Sequence, residues 1–206
     1  FDLDGDLVWT RDIETEWFDT AYRVVVSPTG DVYVAGDTGG ELGAAPAGAS
    51  DAYLRKYTAD GDVVWTQQFG GAYFEEPTGL ALDLNGNVIV SGTGNDFSGG
   101  FWGFVAKYDA NGAQSWIQDD LSDLARLSGA STDPEGGIYF GVFWVGDSPE
   151  SKTAGVRKLT ADGDLVWART ENVTITTDVL VNDVDDFYFT GPNYLVHTQP
   201  VCATDD

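Results

Sequence analysis

The sequence predicts an all-β chain, a four-bladed β-propeller of four-stranded antiparallel blades with its N-terminal strand closing the last blade, on three observations. First, near-copies of Asp60-Gly61-Asp62-Val63-Val64-Trp65 recur as Asp4-Gly5-Asp6-Leu7-Val8-Trp9, Asn111-Gly112-Ala113-Gln114-Ser115-Trp116 and Asp162-Gly163-Asp164-Leu165-Val166-Trp167. Their spacing of about fifty residues is the period of propellers and solenoids. Second, short β-branched and aromatic runs separated by Gly, Pro and Asx turns fill the intervals, which is the pattern of strands in a meander. Third, the last repeat stops before its Trp-bearing strand, while the N-terminus carries one with no partner upstream. Closing the ring three-plus-one covers both loose ends, since a blade buries its faces only against its neighbours.

The elements follow in order. Residues 7–10 form the displaced outer strand, and 11–20 form a polar connection with Trp17 and Phe18. Tyr22–Val26 and Asp31–Gly36 are two runs across Ser27-Pro28-Thr29-Gly30, a hairpin signal. After a Gly- and Ala-rich loop, Ala52–Tyr57 and Val63–Gln67 pair across Asp60-Gly61, where Gly accepts the positive φ that the turn requires. The same four-strand unit returns twice in full and once in part, with strand A on the axis and the Trp strand D outermost. The expected boundaries are about 20–69, 76–118 and 124–169 for three blades, 175–198 plus 1–10 for the fourth, and a tail at 199–206.

Composition bounds the partners. Hydrophobic residues make up 42% of the chain and aromatics 13%, enough for a folded core despite the acidity. Ten basic residues against 34 acidic ones give a net charge of −24, a surface that repels polyphosphate backbones and anionic lipid. Neither nucleic acid nor membrane insertion is expected. A single cysteine, Cys202, builds no disulfide framework. The sequence contains no methionine, which reads as a processed or excerpted chain, and with the acidic, Lys-poor surface it points to an extracellular or cell-surface setting.

The run Gly86-Asn87-Val88-Ile89-Val90-Ser91-Gly92, a Gly-rich loop, Phe104-Val105-Ala106-Lys107-Tyr108-Asp109-Ala110-Asn111-Gly112 and Trp116 resembles the bacterial SBBP-type β-propeller repeat family. The resemblance covers nearly the whole chain. It implies a secreted or surface-associated propeller with no common active site, and the family's name implies seven blades where four are present.

Candidate sites were weighed against structural roles. The repeated Trp residues read as packing between blades, whereas Trp102, beside Phe101 at the end of a Gly-rich loop, is the candidate for a glycan contact. Asp2, Asp4 and Asp6 superficially resemble a calcium loop but lack the further ligands of one, and the spacing fits a turn better. No cofactor is expected, with calcium at surface carboxylates left open. His197 falls in register with Lys56, Lys107 and Lys158 and reads as a variant of a structural cation. Asn172 opens a glycosylation sequon. Leu7, Val8 and Trp9 against Tyr194, Leu195 and Val196 carry the closure of the ring, within one chain or between copies.

Named catalytic motifs are absent. The expectation is therefore a non-enzymatic structural or adhesive module whose partners are copies of itself or other surface proteins, and which forms the repeating unit of an assembly or filament. The alternative is a glycan-binding module using the loops 38–50, 93–101 and 145–153. An enzyme with an axial carboxylate site has no positive signal in the sequence.

Overall fold

The computed structural model describes residues 1–121, 126–145, 152–171, 178–181, 187–191 and 194–198. Among them there is no helix. Three four-stranded antiparallel meanders follow one another. The first holds β1 (Asp19–Val26), β2 (Val32–Thr38), β3 (Asp51–Tyr57) and β4 (Val63–Phe69). In the second are β5 (Phe74–Leu82), β6 (Val88–Asn95), β7 (Phe101–Tyr108) and β8 (Gln114–Leu121). The third comprises β9 (Arg126–Thr132), β10 (Ile138–Val145), β11 (Lys152–Leu159) and β12 (Leu165–Glu171). A three-stranded sheet of β13 (Asp178–Val181), β14 (Phe187–Gly191) and β15 (Tyr194–Thr198) ends the row.

The first strands of the sheets pack in sequence, β1 on β5, β5 on β9 and β9 on β13. Each sheet thus presents one face to its predecessor and the other to its successor. In β6, Val88 and Val90 join Tyr33, Ala35 and Leu54 of the first sheet, while Ile89 joins Ile138 and Phe140 of the third. Alternating side chains feed two separate cores. A strand covered on both sides reads as a continuous apolar run, which is why Val88-Ile89-Val90 lacks polar alternation.

The conserved geometry of the repeat lies between the sheets. Trp65 Nε1 donates to Ala110 O at 3.1 Å and Trp116 Nε1 to Ala161 O at 3.1 Å. Each indole lies over a turn glycine of the next sheet, Gly112 and Gly163, at φ 86° and 94°. Beside them run Lys–Asp pairs: Lys56 with Asp31 at 2.9 Å, Lys107 with Asp83 at 3.1 Å and Lys158 with Asp133 at 2.8 Å. Lys56 and Lys107 also donate to the same carbonyls as the Trp residues, Ala110 O and Ala161 O. His197 pairs with Tyr188 in the register in which Lys56 pairs with Tyr33 and Lys158 with Tyr139.

One expectation is corrected here. Among the described residues four complete blades closed by the N-terminal strand are not formed: residues 7–10 make no strand, and the fourth sheet shows three. Trp9 instead packs on the first sheet, stacked on Tyr57 with ring centroids 6.1 Å apart and its Nε1 donating to Ala59 O at 2.9 Å. It takes the place of Trp65 and Trp116 one sheet earlier. Leu7, Val8 and Trp9 are thus not laddered to β15, the strand of Tyr194, Leu195 and Val196, among the described residues.

Candidate functional site

The connector from the first sheet to the second, Gly70 to Tyr73, is tied to the 39–50 loop by backbone bonds. Ala49 and Ser50 donate to Tyr73 O at 2.8 and 3.0 Å, and Glu75 N donates to Ser50 O at 3.0 Å, a parallel bridge onto the start of β5. Gln68 fixes the loop from the other side. Its Oε1 accepts the N–H groups of Leu42 and Gly43 at 2.8 and 3.1 Å, and its Nε2 donates to Asp51 Oδ2 at 2.9 Å. Asp51 also accepts from Ala47 N and Gly48 N, so its carboxylate is fully engaged in holding the loop.

Glu75 is turned by this bridge into the interior, where it is 5% exposed. Its carboxyl stands against Gly70 and Gly71, close enough that a Cβ on Gly70 would meet Oε2 at 2.5 Å. Among the described residues Oε2 has no hydrogen-bond partner. Burial pushes the carboxyl up to about 7, against a hydrogen bond from the Gly71 backbone that lowers it, and the nearby charge of Asp51 raises it further. Desolvation of this kind brings a carboxyl into the range in which acid–base groups work near neutral pH.

The carboxyl lines a cleft of about 300 Å³ between the first two sheets, with Phe69, Trp102, Phe104, Ile117 and Asp119. The walls are aromatic: Phe69 meets Phe104 edge-on at 5.7 Å, and Tyr73 meets Trp102 at 6.3 Å. Trp102 lies flat against Gly94, where a side chain would strike the indole at 2.1 Å. An apolar cleft with few convergent polar groups, one of them strongly shifted, is the general form of a small-molecule site.

The residues singled out from sequence are distributed as follows. Trp102 is in this cleft, but Phe101 points to the other face of β7, under the Arg126 guanidinium at 4.3 Å, in a second cleft with Leu127 and Phe143. The two are not one surface. Asp2 Oδ1 accepts the N–H groups of Asp4 and Asp6 at 3.0 and 2.9 Å, closing a turn of the type that Asp109 closes with Asn111 and Ala113. Among the described residues no three His, Cys, Asp or Glu side chains are grouped to hold a metal ion. Asn172, Cys202 and the loop 146–151 lie outside the described residues. Glu75 itself carried no motif. Its one sequence signal is Gly70-Gly71-Ala72 followed by two aromatics and two acids, in the only connector between blades with a double glycine.

No family model matches the chain. The regulatory protein FlaEY of Caulobacter vibrioides is 28% identical over 130 residues, 54% of this chain and 14% of that protein. Among solved structures, a gluconolactonase from Xanthomonas campestris matches at a TM-score of 0.53 and 16% identity, over 86% of this chain and 56% of that one. A luciferin-regenerating enzyme matches at 0.52 and 15%, over 83% and 53%. The Malassezia sympodialis allergen Mala s 1 matches at 0.52 and 10%, over 85% and 58%. The chain spans a little over half the length of these three structures, and the likeness is one of fold, β-propeller-like and all-β. The expectation of a non-enzymatic structural or adhesive module is corrected to this extent: two of these three structures are named as enzymes, a gluconolactonase and a luciferin-regenerating enzyme, and none as a structural or adhesive module.

Proposed function

We propose that the chain is an enzyme of hydrolase type whose active site is the cleft between its first two blades, with Glu75 as the acid–base group and a small, neutral cyclic ester as the substrate class. The observation that carries the reading is the Glu75 carboxyl, buried, free at Oε2 and poised near pH 7. The gluconolactonase and the luciferin-regenerating enzyme among the solved propellers support it at the level of fold. A neutral substrate follows from the charge. Glu75 and Asp119 line the cleft and Asp51 lies near Glu75, in a chain of net charge −24, and an anionic substrate would be repelled. The flat wall of Trp102 suits the face of a small ring.

The reaction balances on these groups. The Glu75 carboxylate takes a proton from a water as its oxygen adds to the ester carbon; the acyl C–O bond then breaks, and the carboxyl returns the proton to the departing oxygen. Water and the cyclic ester become a hydroxy acid. The test is turnover of a panel of sugar and aliphatic lactones by the wild-type chain and by Glu75→Gln. Loss of a general base costs about 10²–10⁴-fold in rate, so the variant is expected to fall by that factor while remaining folded, and the wild-type rate to rise through an inflection near pH 7. Equal turnover by the two proteins, or no turnover of any member of the panel, contradicts the assignment.

A further inference from the structure

A second cleft, of about 270 Å³, opens between the second and third sheets, apart from the one that holds Glu75. The junction behind it is fixed by three hydroxyls. Thr78 Oγ1 donates to Leu127 O at 2.8 Å, Thr93 Oγ1 accepts from Leu127 N at 3.1 Å, and Ser91 Oγ donates to Gly129 O at 2.7 Å. Both backbone groups of Leu127 are thus spent on the neighbouring sheet, which holds β9 against β5 and β6. Asn95 follows Ser91 and Thr93 on the same face of β6, and its side chain lines the cleft as well.

Opposite charges meet this cleft from neighbouring inner strands. Arg126 stands opposite Phe143 in the register in which Glu76 stands opposite Thr93, so a cation on β9 takes the place of an anion on β5 one sheet earlier. The two side chains line one cleft and do not pair with each other. Among the described residues the Glu76 carboxylate and the Asn95 amide have no hydrogen-bond or ion-pair partner, and the Arg126 guanidinium has only the Phe101 ring, over which it lies at 4.3 Å. Lys56, Lys107 and Lys158 are by contrast each paired with an aspartate. A guanidinium held over a ring keeps its N–H edge for a carboxylate, which it can take bidentately. A carboxylate and an amide oxygen accept from an ammonium.

We propose that this cleft binds a small zwitterion, an α-amino acid with an apolar side chain. Its carboxylate meets Arg126, its ammonium meets Glu76 and Asn95, and its side chain packs on Phe101, Leu127 and Phe143. Charge selects the zwitterion over simpler ligands. In a chain of net charge −24 a plain carboxylate is repelled, whereas a zwitterion has no net charge and still engages the arginine. A plain amine would face the Arg126 cation with nothing to offer it. The volume lies just under the ~300–1,000 Å³ of pockets for drug-sized ligands, so the ligand is small. Phe101 and Trp102 send the two clefts to opposite faces of β7, and this assignment is independent of the reading of Glu75.

The test is titration calorimetry at pH 7 with leucine, valine and phenylalanine, and with N-acetyl-leucine and leucine amide, which lack the ammonium and the carboxylate. The proteins are the wild-type chain, Arg126→Gln, Glu76→Gln and, as a control on the other cleft, Glu75→Gln, each shown to be folded by circular dichroism. Arg126 and Glu76 are exposed, so their substitutions leave the core intact. The expected result is saturable binding of at least one free amino acid by the wild type and by Glu75→Gln. Both capped leucines, and both charge variants with the free amino acid, should bind at least about tenfold more weakly, the loss of one hydrogen bond to a charged group. No saturable binding of any free amino acid overturns the proposal. So does a capped leucine that binds as tightly as leucine, binding that either charge variant leaves unchanged, or binding that Glu75→Gln abolishes.

Discussion

Glu75 and Asp83 are buried carboxyls at the two ends of one strand, and they titrate in opposite directions. Burial raises both. At Asp83 the side-chain and backbone N–H of Asn87 and the Lys107 ammonium outweigh it and hold the group below the usual carboxylate range. At Glu75 a single backbone donor does not, and the group rises to about 7. The consequences for stability have opposite signs. Because the folded chain binds the Glu75 proton more tightly than the unfolded chain, stability falls as pH rises from about 4.5 to 7, by about 3 kcal/mol. Glu75→Gln is therefore expected to stabilise the chain by up to that amount at pH 8 and to change little at pH 4, read by urea unfolding at the two values. The depressed carboxyls Asp83 and Asp133 contribute stability that is present above about pH 4 and lost as they protonate below it. Removing the cation leaves a buried charge alone, so Lys107→Ala should cost about 3–5 kcal/mol at pH 7. Replacing Asp83 and Lys107 together with Asn and Met should cost clearly less, and equal losses would show that the pair is not coupled.

At the scale of the element, most strands were legible because each hairpin carries its own turn chemistry. Gly61, Gly86, Gly112, Gly136 and Gly163 all hold positive φ at the turns where the sequence placed them. Two of these glycines separate turn from interface. Nothing lies within 4 Å of a Cβ built on Gly86, whereas one on Gly112 meets the Trp65 ring at 2.8 Å. Gly86→Ala should cost about 1–2 kcal/mol for the left-handed backbone alone, and Gly112→Ala about 1–3 kcal/mol more because the indole must shift. Comparing their thermal unfolding tests whether the Trp contact stabilises the packing between blades. The Glu75 site was not legible in the same way. Its carboxyl is buried by a parallel bridge between Ser50 and Phe74, a contact between a loop and a strand that no periodicity encodes. Trp102 was noticed for its loop. Pairing it with Phe101 ignored the alternation of β7, which sends neighbours to opposite faces.

At the scale of the whole molecule, the sequence showed how many repeats there are but not how they curve. Local strand patterns determine each sheet, while the junctions between sheets come from side chains such as Leu80 and Ala130 packing on their cores. Trp9 lies on a turn of the first sheet, and residues 7–10 are not laddered to β15 among the described residues. The same packing forms the cleft, since its walls come from both of the first two sheets and exist only where those sheets meet. The cleft thus lies at a junction between repeats, with each repeat supplying part of the wall and the start of β5 supplying the Glu75 carboxyl. A ¹³C-detected titration of the Glu75 side-chain carboxyl in the intact chain, assigned by comparison with Glu75→Gln, tests this account most directly. A midpoint near 7 is the predicted result, and a midpoint at 4.5, the value of an ordinary exposed glutamate, would contradict it.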